Sequence, residues 1–398
     1  MKKLLGLLLA LAVAFPASAD VLKNVDIKGE IQTIASDVDH NSSGYYNSGT
    51  NLRVLAGASF DLVEDVRANL LFGYRNVWGS FTNGETGSNV QHYWDDVELV
   101  EANVVLSNLF CCLEATVGRQ FYGDEDSAVM YFGPIHYNAE HNGWSALDAV
   151  KVAYSDDFKT FTMIAGRTLE IDDPATIDEK ETGAAIYGAD LKLNLTDALK
   201  WQVYGYDLRN FTYPDRDGVA VTDKDSGFYG TKLTFAPEAV TLAAEYARNF
   251  SGERLVKEHK DTGYLVKVDA ALNLEAVTPR FAFVYTNGFL GHGNYTPGLL
   301  VGDAHDVLFE AYMADGLRLF NVGVDFAIGK WTFALDGFSF QDRYAHASAT
   351  LEADLTAKYA HNEYVELFAG AGYAKYADAH GAAKEDNIKG QLGMLIKF

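Results

Sequence analysis

Apolar and polar positions alternate along most of this chain with a period of two. In 348–359, Ala349, Leu351, Ala353, Leu355, Ala357 and Tyr359 alternate with Ser348, Thr350, Glu352, Asp354, Thr356 and Lys358. In 319–328, Phe320, Val322, Val324, Phe326 and Ile328 alternate with Asn321, Gly323, Asp325 and Ala327. Segments 51–62 and 262–273 behave in the same way, and Asn387–Phe398 sets Ile388, Gly390, Leu392, Met394 and Ile396 on one face. A strand sends successive side chains to opposite faces, so each segment predicts a strand with one greasy and one wet face. No helical period of comparable length competes with this pattern.

The connections between these segments fall into two classes. Eight are short: Val63–Val66, Asn108–Cys111, Ser155–Asp157, Thr196–Ala198, Ala236–Ala239, Leu274–Val277, Gly329–Lys330 and His361–Glu363. Nine are long and polar, at about 36–50, 79–95, 121–146, 170–183, 210–226, 249–261, 287–316, 341–347 and 377–386. Short turns at one rim and long loops at the other are the habit of a transmembrane antiparallel β-barrel with lipid outside and water inside. Seventeen connections predict about 18 strands, with 16 as the alternative if a hairpin is split. A soluble periplasmic β-sandwich that binds a ligand also alternates, but it has no reason to sort its loops by length.

Residues 1–19 read as an export signal. Lys2 and Lys3 precede the apolar run Leu4–Phe15, and Ala17-Ser18-Ala19 is a small-residue cleavage site. The run is too short to span a bilayer as a helix. The expected domain layout is therefore a signal peptide over 1–19 and a single barrel over 20–398. The 36 Gly, 7 Pro and 13% aromatic content suit many strands joined by tight turns. A net charge of −23 argues against a nucleic-acid partner, which would want clustered Lys and Arg. The 2 Cys, Cys111 and Cys112, are adjacent and cannot staple distant segments; they read as two small residues in a turn.

A barrel of about 18 strands is too wide for its own side chains to fill, so something must set its bore. The third long loop, 121–146, is the candidate. Its stretch Ala128–Tyr137 is too apolar to stand in solvent and needs a surface to pack on, and the inner wall is the nearest one. Enzymatic chemistry finds little support. There is no Gly-x-Ser-x-Gly, and no pair of histidines has the spacing of a zinc site. His136 and His141 share the third loop and read as solvated. Asp215-Arg216-Asp217-Gly218 with Asp223 and Asp225 is a fragment of a calcium loop without its closing Glu. No cofactor and no metal are expected. A barrel acting as an adhesin, an anchor or an enzyme is the remaining alternative to a channel.

The last strand, ending in Phe398, resembles the closing strand of bacterial outer-membrane barrels, whose terminal Phe is read by the assembly machinery. With its apolar third loop after the fifth strand, the chain resembles the bacterial porin superfamily. Gly118-Arg119-Gln120 at the end of that strand is similar to a motif of alginate-export-type barrels, although the acidic charge departs from a channel for a polyanion. The resemblance implies passive diffusion of small hydrophilic solutes or ions across the outer membrane. It also implies contact with membrane lipid and lipopolysaccharide, and leaves open a homotrimer. In porins, loop carboxylates facing wall arginines create a transverse field. By resemblance the constriction would comprise Asp124, Glu125 and Asp126 on the loop and Arg53, Arg67, Arg75 and Arg119 on the wall. The alternation points Arg53 to the lumen and puts Arg67 and Arg75 on one shared face. It puts Arg119 on the lipid face, with Leu113, Ala115 and Val117, unless a bulge intervenes.

Overall fold

The computed structural model describes residues 23–40, 46–81, 97–137, 143–168, 184–214, 220–251, 263–293, 295, 297–300, 316–342, 349–375 and 386–398. The expected signal peptide, His141 and the Asp215–Gly218 fragment lie outside these residues. Among the described residues, twenty strands are formed. The first five are β1 (Lys23–His40), β2 (Tyr46–Val63), β3 (Val66–Phe81), β4 (Glu98–Leu109) and β5 (Leu113–Gln120). Two-residue strands β6 (Tyr122–Gly123) and β7 (Tyr131–Phe132) pair with each other inside the third loop. The next seven are β8 (Leu147–Ser155), β9 (Lys159–Thr168), β10 (Ala185–Asn194), β11 (Leu199–Pro214), β12 (Ala220–Phe235), β13 (Val240–Ser251) and β14 (Tyr264–Leu272). The last six are β15 (Val277–Asn287), β16 (Leu317–Ile328), β17 (Trp331–Asp342), β18 (Thr350–Ala360), β19 (Val365–Lys375) and β20 (Asp386–Lys397).

Leaving out β6 and β7, every strand pairs antiparallel with its neighbour in sequence, and β20 returns to β1, so 18 strands close into a barrel. Full closure leaves no unpaired edge, which is what a sheet in lipid requires. The seam runs from Glu30↔Lys397 to His40↔Asn387. It is finished by two backbone bonds, Gly29 N to Phe398 O at 2.7 Å and Phe398 N to Gly29 O at 3.0 Å. A Cβ on Gly29 would stand 2.8 Å from the Leu55 backbone carbonyl as well as against the Phe398 ring, so the position takes glycine.

The alternation read from the sequence is the division between outside and inside. On β20, Ile388 and Leu392 are 57% and 65% exposed, while Asn387, Lys389 and Gln391 are buried. On β18, Leu351 and Leu355 face out and Thr350, Glu352 and Asp354 face in. Trp201 and Trp331 are exposed near the short-turn ends of their strands, where amphipathic rings suit a membrane interface. All eight short connections are present, and Cys111 and Cys112 are free, exposed thiols in one of them.

The buried core lies inside the barrel. Ala128, Val129, Met130 and Phe132 of the third loop pack on inward side chains that include Leu147, Ile164, Ile186, Tyr206, Leu208 and Phe228. Each large apolar side chain so buried is worth about 1.5–3 kcal/mol, which is why this loop lies on the wall.

Candidate functional site

The third loop is held at two places. Its first half is the β6–β7 hairpin, docked on the wall of β8–β14 by the apolar contacts above. Tyr122 also reaches that wall through its hydroxyl, 2.9 Å from that of Tyr206 and 3.3 Å from Asp190 Oδ2. The second hold lies on the opposite wall, at β1 and β2. Arg53, fully buried, donates from Nη1 to the carbonyls of Ile135 and Gly143, the latter at 2.9 Å, and from Nη2 to Glu30.

His136 completes that second hold. Its Nε2 lies 2.7 Å from Glu30 Oε2 and its Nδ1 lies 2.9 Å from Glu125 Oε2, while its backbone N donates to Glu125 Oε1 at 2.7 Å. Two carboxylates on two ring nitrogens are both satisfied only by the doubly protonated imidazolium. Burial pulls the His136 pKa down, but the Glu125 and Glu30 carboxylates outweigh it and hold the pKa above its ordinary value. Burial likewise pushes Glu125 up, and its bonds to His136 bring it below the usual carboxylate range. The result is a chain of alternating charge, Arg53–Glu30–His136–Glu125, from the wall to the loop.

Next to it, Tyr137 crosses towards β18–β20. Its hydroxyl donates to Glu366 at 2.8 Å, its ring meets Phe368 edge-on at 5.1 Å, and Lys358 Nζ sits 3.5 Å above the ring centroid. Such a cation over an aromatic face is attracted by the ring quadrupole.

A second segment also enters the lumen. Phe289 and Leu290 join the same apolar cluster as the third loop. The two segments pair through backbone, Tyr131 N to His292 O at 2.6 Å and His292 N to Val129 O at 2.9 Å. The His292 ring stacks on Phe132 at 4.4 Å, and burial alone lowers its pKa to about 4, so it stays neutral. Further on, Glu352 and Asp354 of β18 accept from the backbone of Leu299 at 2.7 and 2.8 Å, and Glu352 accepts from Leu300 at 2.7 Å. Gly298, at φ +89°, permits this approach; a Cβ there would stand 2.8 Å from Glu352 Oε1.

Between these segments and the far wall lies a cavity of about 620 Å³. Glu125, Asp126, Asp269, Asp336 and Asp354 line it, against Arg280, Lys358 and Lys389. Arg280 is held by Asp325 at 2.7 Å and Asp336 at 2.9 Å, so part of the positive charge is already neutralised. His136, as an imidazolium, stands on the same lining, so five carboxylates face four cations and the charges nearly cancel.

Measured against the sequence-derived set, the loop carboxylates divide. Glu125 and Asp126 line the cavity, whereas the Asp124 side chain is 75% exposed and 3.8 Å from Lys192. The wall arginines do not form one array across the lumen. Arg53 faces inward as the alternation requires, but it lies beneath the loop as an anchor and not on the cavity. Arg75 is its register partner, and a Cβ on Gly143 would stand 3.4 Å from Arg75 Nη1. Arg67 pairs with Asp61 at 3.0 Å beside the β2–β3 turn, far along the strand from Arg75. Arg119 is on the outer face, bonded to Asp148 at 2.9 and 3.0 Å and to the Leu99 carbonyl at 2.9 Å; no bulge turns it inward. The His136 side chain is only 12% exposed and held by two carboxylates, contrary to its reading as a solvated loop residue. Glu30, Glu352 and Lys358 are inward positions of alternating strands, indistinguishable by type from other lumen residues. The second inward segment does carry a sequence signal, because Phe289, Leu290, Leu299 and Leu300 are as out of place in a polar loop as 128–137.

No family model and no curated protein matches the sequence. Solved structures do match its fold. Pseudomonas aeruginosa OpdO superposes with a TM-score of 0.65 at 11% identity, covering 96% of this chain and 99% of that one. Acinetobacter baumannii OccAB1 gives 0.64 at 10%, covering 95% and 98%. Pseudomonas aeruginosa OccK5 (OpdH) gives 0.59 at 13%, covering 94% and 98%. At these identities the likeness is one of fold, and it extends over nearly the full length of both chains.

Proposed function

We propose that this chain is an outer-membrane porin, a passive channel for small hydrophilic solutes or ions and not an enzyme. One observation carries the reading. A closed barrel with an apolar outer face is narrowed from within by a docked loop, and a charged cavity of about 620 Å³ is left beside that loop. Its counterparts in fold, the Occ and Opd proteins, are outer-membrane porins. Sieving by bore and selection by lining charge are then the mechanism. The third loop sets the constriction, with Glu125 and Asp126 as its charged rim, and the Asp126 carboxylate there favours cations. Phe398, half-exposed at the short-turn rim, serves the assembly machinery before the seam closes. The test is conductance of the purified protein in a planar bilayer. Discrete steps with a cation-biased reversal potential are expected. Silent membranes, despite insertion verified by heat-modifiable gel mobility, refute the channel.

A further inference from the structure

Most of the charge on the cavity beside the third loop is already engaged within the protein. Arg280 is shared between Asp325 and Asp336, at 2.7 and 2.9 Å. His136 is held between Glu30 and Glu125. The Lys358 ammonium sits over the Tyr137 ring, and Lys389 is buried in the wall. Among the carboxylates, Asp269 has Lys267 at 3.5 Å, and Asp354 accepts from the Leu299 backbone at 2.8 Å. An ion of either sign that enters meets attraction and repulsion side by side. The two largely cancel, while part of its hydration is lost.

What the lining keeps is directional hydrogen bonding. Arg280 of β15 donates from Nη2 to Asp336 Oδ2 of β17 at 2.9 Å, and Asn321 of β16 donates to Asp336 Oδ1 at 3.0 Å. Gly323 is the register partner of both Arg280 and Asp336, and a Cβ there would strike Asp336 Oδ1, so the pair closes over a strand position that has no side chain. The three side chains form a fixed row of guanidinium, carboxylate and amide, each orienting the next. Thr356 adds a hydroxyl to the same lining, and Tyr137 and Tyr295 add ring surface. A hydroxyl donates one hydrogen bond and accepts two, so it can bridge a carboxylate and the guanidinium or amide beside it. A neutral solute rich in hydroxyls gives up no ionic hydration on entry, and its C–H faces suit the rings.

We infer that this cavity of about 620 Å³ binds a small neutral sugar or polyol, held by Asp336, Arg280 and Asn321 and bounded by Tyr137 and Tyr295. The inference rests on the porin reading for the site's place on a permeation path, but the binding itself needs no conduction. The test uses the full-length protein in detergent, checked for heat-modifiable mobility, and reads binding by saturation-transfer NMR. The probes are glucose, glucuronate and glucosamine, one ring in three charge states. Wild type should bind glucose tightest of the three. Asp336→Asn should weaken glucose about fivefold, the difference between a hydrogen bond to a charged group and one to a neutral group. It should also move preference towards glucuronate, because Arg280 then answers to Asp325 alone. Tyr295→Ala lies off the barrel sheet, so it tests the site even where the wall variant does not fold, and it should weaken glucose in the same direction. Tighter binding of glucuronate or glucosamine by wild type overturns the assignment, and so does glucose binding unchanged in both variants. A protein that conducts ions but binds no glucose refutes the sugar site and leaves the porin reading. A silent bilayer with glucose still bound tightest refutes the channel and leaves the site.

Discussion

Replacing Arg53 by Met removes the anchor at β2 while keeping a side chain of similar length. In the native protein Arg53, itself fully buried, donates to the carbonyls of Ile135 and Gly143 and to Glu30. Hydrogen bonds to a charged group contribute about 1.5–3 kcal/mol each, so the two loop carbonyls alone account for roughly 3–6 kcal/mol of docking. The other end of the loop is held independently. Val129, Met130 and Phe132 are buried against the β8–β14 wall at about 1.5–3 kcal/mol apiece. The variant should therefore keep the β6–β7 hairpin in place and release only the part around Ile135 and Gly143. A wider bore follows, without loss of the barrel. Single-channel recording should show a larger conductance step with more open-channel noise, while the gel-mobility shift on heating is unchanged. Arg53→Lys should fall between, since one ammonium cannot bridge two carbonyls and a carboxylate with the same geometry. A conductance identical to wild type in the Met variant would refute the anchoring argument. Loss of the folded band would mean that Arg53 supports the barrel and not merely the loop.

The same anchor should respond to pH. His136 has a raised pKa, so its hold is complete below the ordinary value of 6.5 and is lost as pH rises through the raised one. Glu125 has a lowered pKa, so its share is complete above the ordinary value of 4.5 and is lost as pH falls through the lowered one. The loop should thus be tightest between about pH 4.5 and 6.5, and conductance should rise as alkaline pH deprotonates His136; a His136→Gln channel should show no such alkaline step. Selectivity is a separate matter. Asp126→Asn should reduce the cation bias of the reversal potential in a salt gradient more than Asp124→Asn does, because Asp126 lines the cavity and Asp124 faces Lys192.

The barrel was readable in the chain because its physics is local. Each lipid-facing position must be apolar and each lumen-facing position tolerates polarity, so Leu351–Tyr359 or Ile388–Ile396 declare their faces without reference to the rest. The same rule placed Arg119 outside, against the porin resemblance, and the structure follows the alternation. The docking of the third loop was also legible, since its apolar stretch needed a wall. What it docks on was not. The loop carbonyls that Arg53 bonds lie 82 and 90 residues away, and the partners of His136 lie on β1 and within its own loop. Nothing in spacing encodes such meetings, because they depend on how a loop crosses a lumen whose width only the closed sheet defines. Lys358 over Tyr137 belongs to the same class, a contact between an ordinary strand lysine and an ordinary loop tyrosine.

The backbone pairing of Val129 and Tyr131 with His292 gives the channel a property that neither inward segment has alone. One segment is tethered to β1 and β2 by charge, the other to β18 by the carboxylates of Glu352 and Asp354, and they are spliced in the middle by main-chain bonds and the Phe132–His292 stack. The insert therefore behaves as a crossbeam bolted to the cylinder at both ends. Tension introduced at either bolt is carried through the splice, so loosening the β18 mooring should be felt at Glu125, across the lumen.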